Sequence, residues 1–304
     1  MTLTQTEIGC LEAFRHQREP AFDEASSEEE AWLIFGLSVA LEAGKLVREI
    51  RSRPLAKIVQ FKDDGSPASE IESEIELFCR RRLHDFCLNA TMVGEESGGD
   101  LPATGVAVVI DPIDGTWALL NRTATCAVSL AVFRDGRPFL GIVLNPATGE
   151  IGYALSGDRT RLLQVSAFGE DDFACDLPLA LVREGAVLVN LHPSRSAGPV
   201  ATNLFSAWTE RTVRMVRMAG GSPAWALLEA AKGSFAYVNL WSRKPADVFD
   251  LAAGVLLVQN AGGMVSNCDG ERIESVGHLG PFVASVDETA RTTISKIVSA
   301  SFSS

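Results

Sequence analysis

The segment VVIDPIDGTWALL, residues 108–120, ends an apolar run in two aspartates, Asp111 and Asp114. Pro112 lies between them, and Gly115 and Thr116 follow. Asp-Pro and Asp-Gly are common turn dipeptides, so turn formation alone would account for both acids. Proline, however, stiffens the backbone so that both carboxylates can address one point. Two carboxylates held together cost free energy unless a proton or a cation neutralises them. A hard divalent cation, Mg2+ above all, takes oxygen ligands of this kind.

Further acidic residues can join this pair. Glu95 and Glu96 stand in the loop GEESGGD, sixteen and fifteen residues before Asp111. Adjacent acids in a loop are ordinarily just solvated. Asp250 opens the apolar segment DLAAGVLLVQN, where exposed N–H groups and the helix dipole favour an acid in any case. Asp247, three residues earlier and near Pro245, is its rival as a ligand. Glu72 is accounted for as half of a capping box with Ser69.

Taken together, GEES, DPIDGT and the D-x-A-A-G that begins at Asp250 and closes with Gly262 and Gly263 resemble the signature set of the inositol monophosphatase-like family. That family lies within the lithium-sensitive, Mg2+-dependent phosphatase superfamily. The likeness runs from about residue 27 to residue 290. It implies an α/β fold, an αβαβα sandwich, ordinarily homodimeric. It also implies hydrolysis of a small phosphomonoester by metal-activated water, with two or three Mg2+ per active site. By the same resemblance Glu95 and Asp111 hold one Mg2+ with the carbonyl of Ile113, and Asp111, Asp114 and Asp250 hold a second. Glu95 would face a third, weaker site. Thr116 would orient the attacking water, with Glu72 beside it where the family carries Asp. Gly115 and Thr116, next to Asp114, would offer backbone N–H groups to the phosphate.

Substrate-facing candidates are Gly220, Gly221 and Ser222 at a helix start, Asn239, and the pair Arg243 and Lys244. The Gly-Gly-Ser stretch serves equally well as a simple N-cap, and the two cations equally well as solvated surface charge. The departures from the family pattern fall in the same regions. Trp117-Ala118-Leu119-Leu120 follows DPIDGT with no proline nearby, and Phe249 stands where the family usually has Trp. The segment before Asp250 is a few residues longer than usual, and residues 157–182 lack the usual glycine-rich loop.

The elements that must position these residues can be read from periodicity. Ser27 and Glu30 predict a capped helix through about Arg51, with Leu33, Ile34, Leu37 and Leu41 on its apolar face. A second helix runs from Ser69 to about Phe86, burying Ile71, Ile75, Phe78 and Leu83. Short strands at 91–93 and 106–110 follow, then a turn of helix at 116–121 and an antiparallel meander through EIGYAL. From residue 184 onward strands at 186–191, 213–216 and 235–241 alternate with helices, the pattern of a layered α/β unit. Two halves are therefore expected, an α+β half at 27–183 carrying GEES and DPIDGT, and an α/β half at 184–304 carrying Asp250. Residues 1–26 read as a loosely held segment.

The 304 residues carry a net charge of −12, which disfavours nucleic acid as a partner. A small phosphorylated substrate remains compatible if a metal supplies local positive charge. No run of 18 apolar residues and no signal-peptide core is present, so neither a membrane partner nor export is expected. Six cysteines without paired spacing fit reduced thiols in a cytoplasm. The four histidines, at 16, 84, 192 and 278, lie outside the motifs, so no His or Cys nucleophile is indicated. The default substrate is an inositol, sugar or polyol phosphate. Histidinol phosphate and a 3'-phosphonucleotide are alternatives, and a catalytically silent binding relative would require a lost metal ligand, of which there is none.

Overall fold

The computed structural model describes residues 2–51, 60–61, 67–68, 70–86, 88–165, 172–177, 186–191, 197–240, 248–273 and 280–301. Its centre is a seven-stranded sheet in the order β3-β4-β5-β6-β7-β8-β9. The strands are β3 (Thr91–Gly94), β4 (Val106–Asp114), β5 (Ala127–Arg134), β6 (Arg137–Asn145), β7 (Glu150–Leu155), β8 (Arg161–Gln164) and β9 (Phe173–Asp176). Only β3 and β4 run parallel; each later neighbour is antiparallel, as short turns require. A two-stranded ribbon, β1 (Gln60–Phe61) with β2 (Pro67–Ala68), stands apart from it.

Side chains alternate along the sheet, so its two faces enter different cores. Val108 and Ile110 of β4 and Ile142 and Leu144 of β6 pack beneath α2 (Glu28–Arg51) and α3 (Glu70–Asp85). Ala107, Val109 and Val143 point the other way, against α6 (Pro223–Lys232) and α7 (Val248–Asn260). These two helices also pack on the second sheet, of order β11-β10-β12-β14-β13. That sheet comprises β10 (Val187–Asn190), β11 (Val216–Met218), β12 (Ala236–Asn239), β13 (Met264–Asn267) and β14 (Phe282–Ser285). Its outer face is covered by α5 (Ala197–Thr209) and α8 (Glu288–Ser299). The five layers are the αβαβα sandwich that the motifs imply. The middle layer belongs to both sheets, so one core joins the two sequence halves; their expected boundary at 183/184 lies outside the described residues.

Two local expectations change. Residues 2–26 are not loosely held: α1 (Gln5–Arg15) starts in a complete capping box between Thr4 and Glu7 and buries Cys10, Leu11 and Ala13. The burial of Glu7 explains why composition misled. Its carboxylate is fully buried and takes hydrogen bonds from Tyr153 Oη at 2.7 Å and from Arg161 at 2.7 and 2.9 Å. Burial opposes its ionisation, but the bonds from Arg161, Thr4 and Tyr153 prevail and hold its pKa below the ordinary value. The second change is at the edge of the second sheet, where the strand expected at 213–216 forms at Val216–Met218. Val213 turns into the core instead. No helix among the described residues is long and apolar enough to cross a membrane.

The capped, ion-paired α1 yields a test. Replacing Glu7 with Ala strands Arg161 and Tyr153 without their shared acceptor. The expected loss is about 1.5–3 kcal/mol in a denaturant titration. An unchanged midpoint would show that α1 contributes nothing to the fold.

Candidate metal centre

The geometry of the acidic cluster starts with a β-bulge. Along a regular strand, residues 111 and 114 would point to opposite faces. In β4, Asp111 faces Ser129 across the ladder and Asp114 faces Ala127, so three steps on β4 match two on β5. The extra residue re-phases the strand and brings Asp114 to the same face as Asp111. Pro112 has no N–H to give to the ladder, which places the bulge there. The Ile113 N–H turns back to Asp111 Oδ1 at 2.8 Å.

The third carboxylate arrives on α7. Ser129 Oγ, opposite Asp111, donates to the carbonyl of Phe249 at 2.7 Å, which fixes the start of α7 over β4 and β5. Asp111, Asp114 and Asp250 then each present a carboxylate oxygen, all within 4.8 Å of one another. Asp250 sits in the first turn of α7, two residues inside its start, rather than opening the helix as the sequence suggested. The helix begins at Val248, where the apolar pattern already holds. Asp247, Arg243 and Lys244 lie outside the described residues, as does Ser69, the expected cap of α3.

Glu72, Glu95 and Glu96 form a second cluster, each with a carboxylate oxygen within 4.8 Å of the others. The Glu95 N–H continues the ladder to the carbonyl of Ile110 at 3.2 Å, which sets Glu95 beside Asp111. Glu72 is fully buried and accepts from Thr116 Oγ1 at 3.1 Å; that hydroxyl also approaches the Ile113 carbonyl at 3.3 Å. Glu96, to which the sequence reading gave no metal, thus lies in the cluster with Glu95. Glu76, one helical turn beyond Glu72, is also buried and was not singled out from the sequence. An acid on the Ile71–Ile75 side of an amphipathic helix was the available signal.

The electrostatics follow from burial. Asp111 is only 2% exposed, and its pKa is raised well above the ordinary carboxylate value. Desolvation is the main cause, then the charges of Glu95, Asp250 and Asp114, against one backbone bond from Ile113. Asp114 is pushed up to about 7 by burial and Glu95, opposed by hydrogen bonds from Ser222, Ala224 and Trp225. Ser222 Oγ and the Ala224 N–H both reach Asp114 Oδ2 at 2.6 Å. Ser222 is the N-cap of α6 and also accepts the Trp225 N–H. Its hydroxyl is fully buried and donates to Asp114, so the residue supports the carboxylate as well as capping the helix.

Gly115 takes a left-handed conformation with φ 89°, and a Cβ there would lie 2.8 Å from Ser222 Cβ. Glycine therefore lets the turn after Asp114 close against α6. Gly220 and Gly221 are exposed in the turn between β11 and α6, with Gly220 against Thr125. Asn239 ends β12 in register with Asn190 at the end of the parallel strand β10, and both are buried. Strand ends of parallel segments are where such folds collect ligands.

The donor set suits a hard cation: oxygen only, two members buried, and more negative charge than local donors offset. This sandwich with its acid-lined centre is that of a phosphoric monoester hydrolase. The chain belongs to the inositol monophosphatase family, whose sequence model matches residues 28–301. It is 29% identical over 247 residues to the histidinol-phosphatase of Mycobacterium tuberculosis, covering 78% of this chain and 88% of that protein. It is 24% identical over 205 residues to the inositol-1-monophosphatase of Bacillus subtilis, covering 67% and 73%. A solved structure of the Thermotoga maritima IMPase superposes with a TM-score of 0.68 at 22% identity, over 88% of this chain and 98% of that one, a likeness of fold.

Because Asp114 is raised from 3.8 to about 7, the folded metal-free chain holds protons that the unfolded chain has lost. That contribution is complete below about pH 4 and disappears as pH rises through about 7. In EDTA, melting temperature should therefore fall from pH 6 to pH 8. The fall should be smaller in Asp114→Asn and in excess Mg2+. Parallel profiles under all three conditions would contradict the assignment.

Proposed function

We propose that this hydrolase removes phosphate from a small inositol, sugar or polyol phosphate in a Mg2+-dependent reaction. The observation that carries the proposal is the meeting of Asp111, Asp114 and Asp250 within 4.8 Å in a largely buried site. On this reading Asp111, Asp114 and Asp250 hold one Mg2+, and Glu95, Asp111 and the Ile113 carbonyl hold another. Glu72, Glu95 and Glu96 would face a third. Bound Mg2+ neutralises phosphate charge and lowers the pKa of a coordinated water. The chain's own groups supply the rest. The Thr116 hydroxyl, already donating to Glu72 at 3.1 Å, can accept a proton from the attacking water while relaying its own to the Glu72 carboxylate. The water oxygen bonds to phosphorus, the P–O bond to the alcohol breaks, and the departing oxygen takes a proton from solvent. Backbone N–H groups of Gly115 and Thr116 orient the phosphate. Gly220, Gly221 and Asn239 border the space left for the alcohol. No covalent phosphoenzyme is required.

Histidinol phosphate is the second reading, favoured by the similarity to the mycobacterial histidinol-phosphatase along 78% of the chain. A 3'-phosphonucleotide is a third, with a nucleotidase from Aggregatibacter actinomycetemcomitans 28% identical over 126 residues. Lithium sensitivity and a homodimeric assembly accompany the proposal as family expectations, and a cytoplasmic location and the division into halves at 183/184 as readings of the sequence.

Phosphate release from a panel of these phosphomonoesters, with Mg2+ and with EDTA, tests the reaction and ranks the substrates. EDTA should abolish turnover; activity indifferent to it would end the metal reading. Asp114→Asn should retain the fold, since its amide oxygen can still accept from Ser222 and Ala224. It should lower kcat/KM by roughly 100-fold or more. Asp250→Asn should weaken Mg2+ affinity and nearly abolish turnover. If Asp247→Asn is instead the inactive variant, the second metal is held from the preceding segment.

A further inference from the structure

Helix α3 presents three polar residues at i, i+4 and i+8, and each reaches the candidate site from behind. Glu72 meets Thr116. Arg80 Nη2 meets Ser97 Oγ at 2.9 Å. Between them Glu76, 2% exposed, accepts the Glu96 N–H at 2.8 Å through Oε1 and the Ser97 N–H at 3.1 Å through Oε2. We propose that Glu76 is a positioning residue that holds the Glu95–Glu96 loop in its metal-binding conformation. The inference rests on the reading that these glutamates bind Mg2+.

The chemistry of the anchor is specific. Two adjacent N–H groups need two acceptors aimed the same way, and a carboxylate provides both as charge-assisted bonds. A glutamine would keep one acceptor and set an NH2 group against the other N–H. The close approach is prepared on the loop side as well. A Cβ on Gly94 would stand 2.3 Å from the Glu76 carboxylate, so only glycine leaves room. The opposite flank of the loop is fixed independently, by the Glu95 N–H to Ile110 and by paired bonds between Gly94 and Gly98 at 3.2 and 2.9 Å. The loop is therefore clamped from β4 on one side and from Glu76 on the other. Loss of the Glu76 side frees Glu96 and slackens Glu95, while Asp111, Asp114 and Asp250 keep their own supports. A buried anion placed behind an already acidic site is otherwise an unfavourable choice.

The test is a calorimetric Mg2+ titration of metal-free wild type, Glu76→Gln and Gly94→Ala, with the Mg2+ dependence of phosphate release measured alongside. Partners behind metal ligands typically contribute 10–100-fold to affinity. We expect at least one Mg2+ affinity to fall by about tenfold or more in Glu76→Gln. Saturating Mg2+ should restore most of kcat, with substrate KM little changed. Gly94→Ala should shift affinity the same way, because its methyl displaces the carboxylate while Glu76 remains; it decides the matter if Glu76→Gln does not fold. Unaltered Mg2+ affinity in a folded variant, or a loss of kcat that excess Mg2+ does not recover, overturns the proposal. A wild type that binds no Mg2+ would instead overturn the metal reading, and this inference with it.

Discussion

The structure is organised around mutual repulsion among carboxylates at the end of β4. Asp111 and Asp114 are almost fully enclosed, and Asp250 and Glu95 crowd them. Buried like charges of this kind cost far more than surface ones, since the low-dielectric surroundings neither solvate nor screen them. The fold offsets that cost unequally. Asp114 receives Ser222, the Ala224 N–H and the start of α6, whose dipole favours a negative charge. Asp111 receives a single backbone bond, and its pKa stays well above the ordinary carboxylate value. The residual charge must be met by protons or by cations. A site built in this way is at once an ion receptor and a local weakness in the ion-free fold.

Such a weakness is tolerable because it sits where packing is most continuous. The middle layer of α6 and α7 is shared by both sheets, so the site's walls are supported from two sides. The ligand candidates come from four elements: β4, the loop after β3, α3 and α7. Three of them are also fixed by a bond outside the cluster. Ser129 holds the Phe249 carbonyl, Ser222 holds Asp114, and Glu76 holds the loop amides. The carboxylates therefore need not settle into place against their own repulsion. The scaffold imposes their convergence, which is the condition for preorganised electrostatics.

Legibility from sequence divides along the same line. DPIDGT, GEES and the Asp250 helix carry charge in short, dense motifs, and their chemistry could be argued residue by residue. The layered order of strands and helices was also readable, because apolar periodicity reports burial directly. What could not be read depends on long-range partners. Ser222 looks like a cap or a substrate contact until Asp114, more than a hundred residues earlier, is seen to take its hydroxyl. Glu7 looks like surface charge in a mixed segment until Arg161 and Tyr153 enclose it. Strands β8, β9, β13 and β14 were not read from the sequence, although β3, equally four residues long, was. Neither pattern nor composition encodes these pairings, because each is satisfied only once the chain is folded.

The same division explains why the phosphate end of the substrate is better defined than the alcohol end. A phosphate is recognised through charge, and the acids and turn amides that imply it recur at fixed spacing around Asp114. An alcohol is recognised through neutral hydrogen bonds and shape, which many residues can provide. Trp117 stands half exposed immediately after Thr116, and the buried amides of Asn190 and Asn239 end two parallel strands. An indole offers a flat apolar face, and an amide offers both a donor and an acceptor. Neither adds charge, so a change of alcohol can be accommodated there without disturbing the balance of carboxylates on which hydrolysis depends. A charged centre with a neutral rim would let one scaffold accommodate several phosphomonoesters.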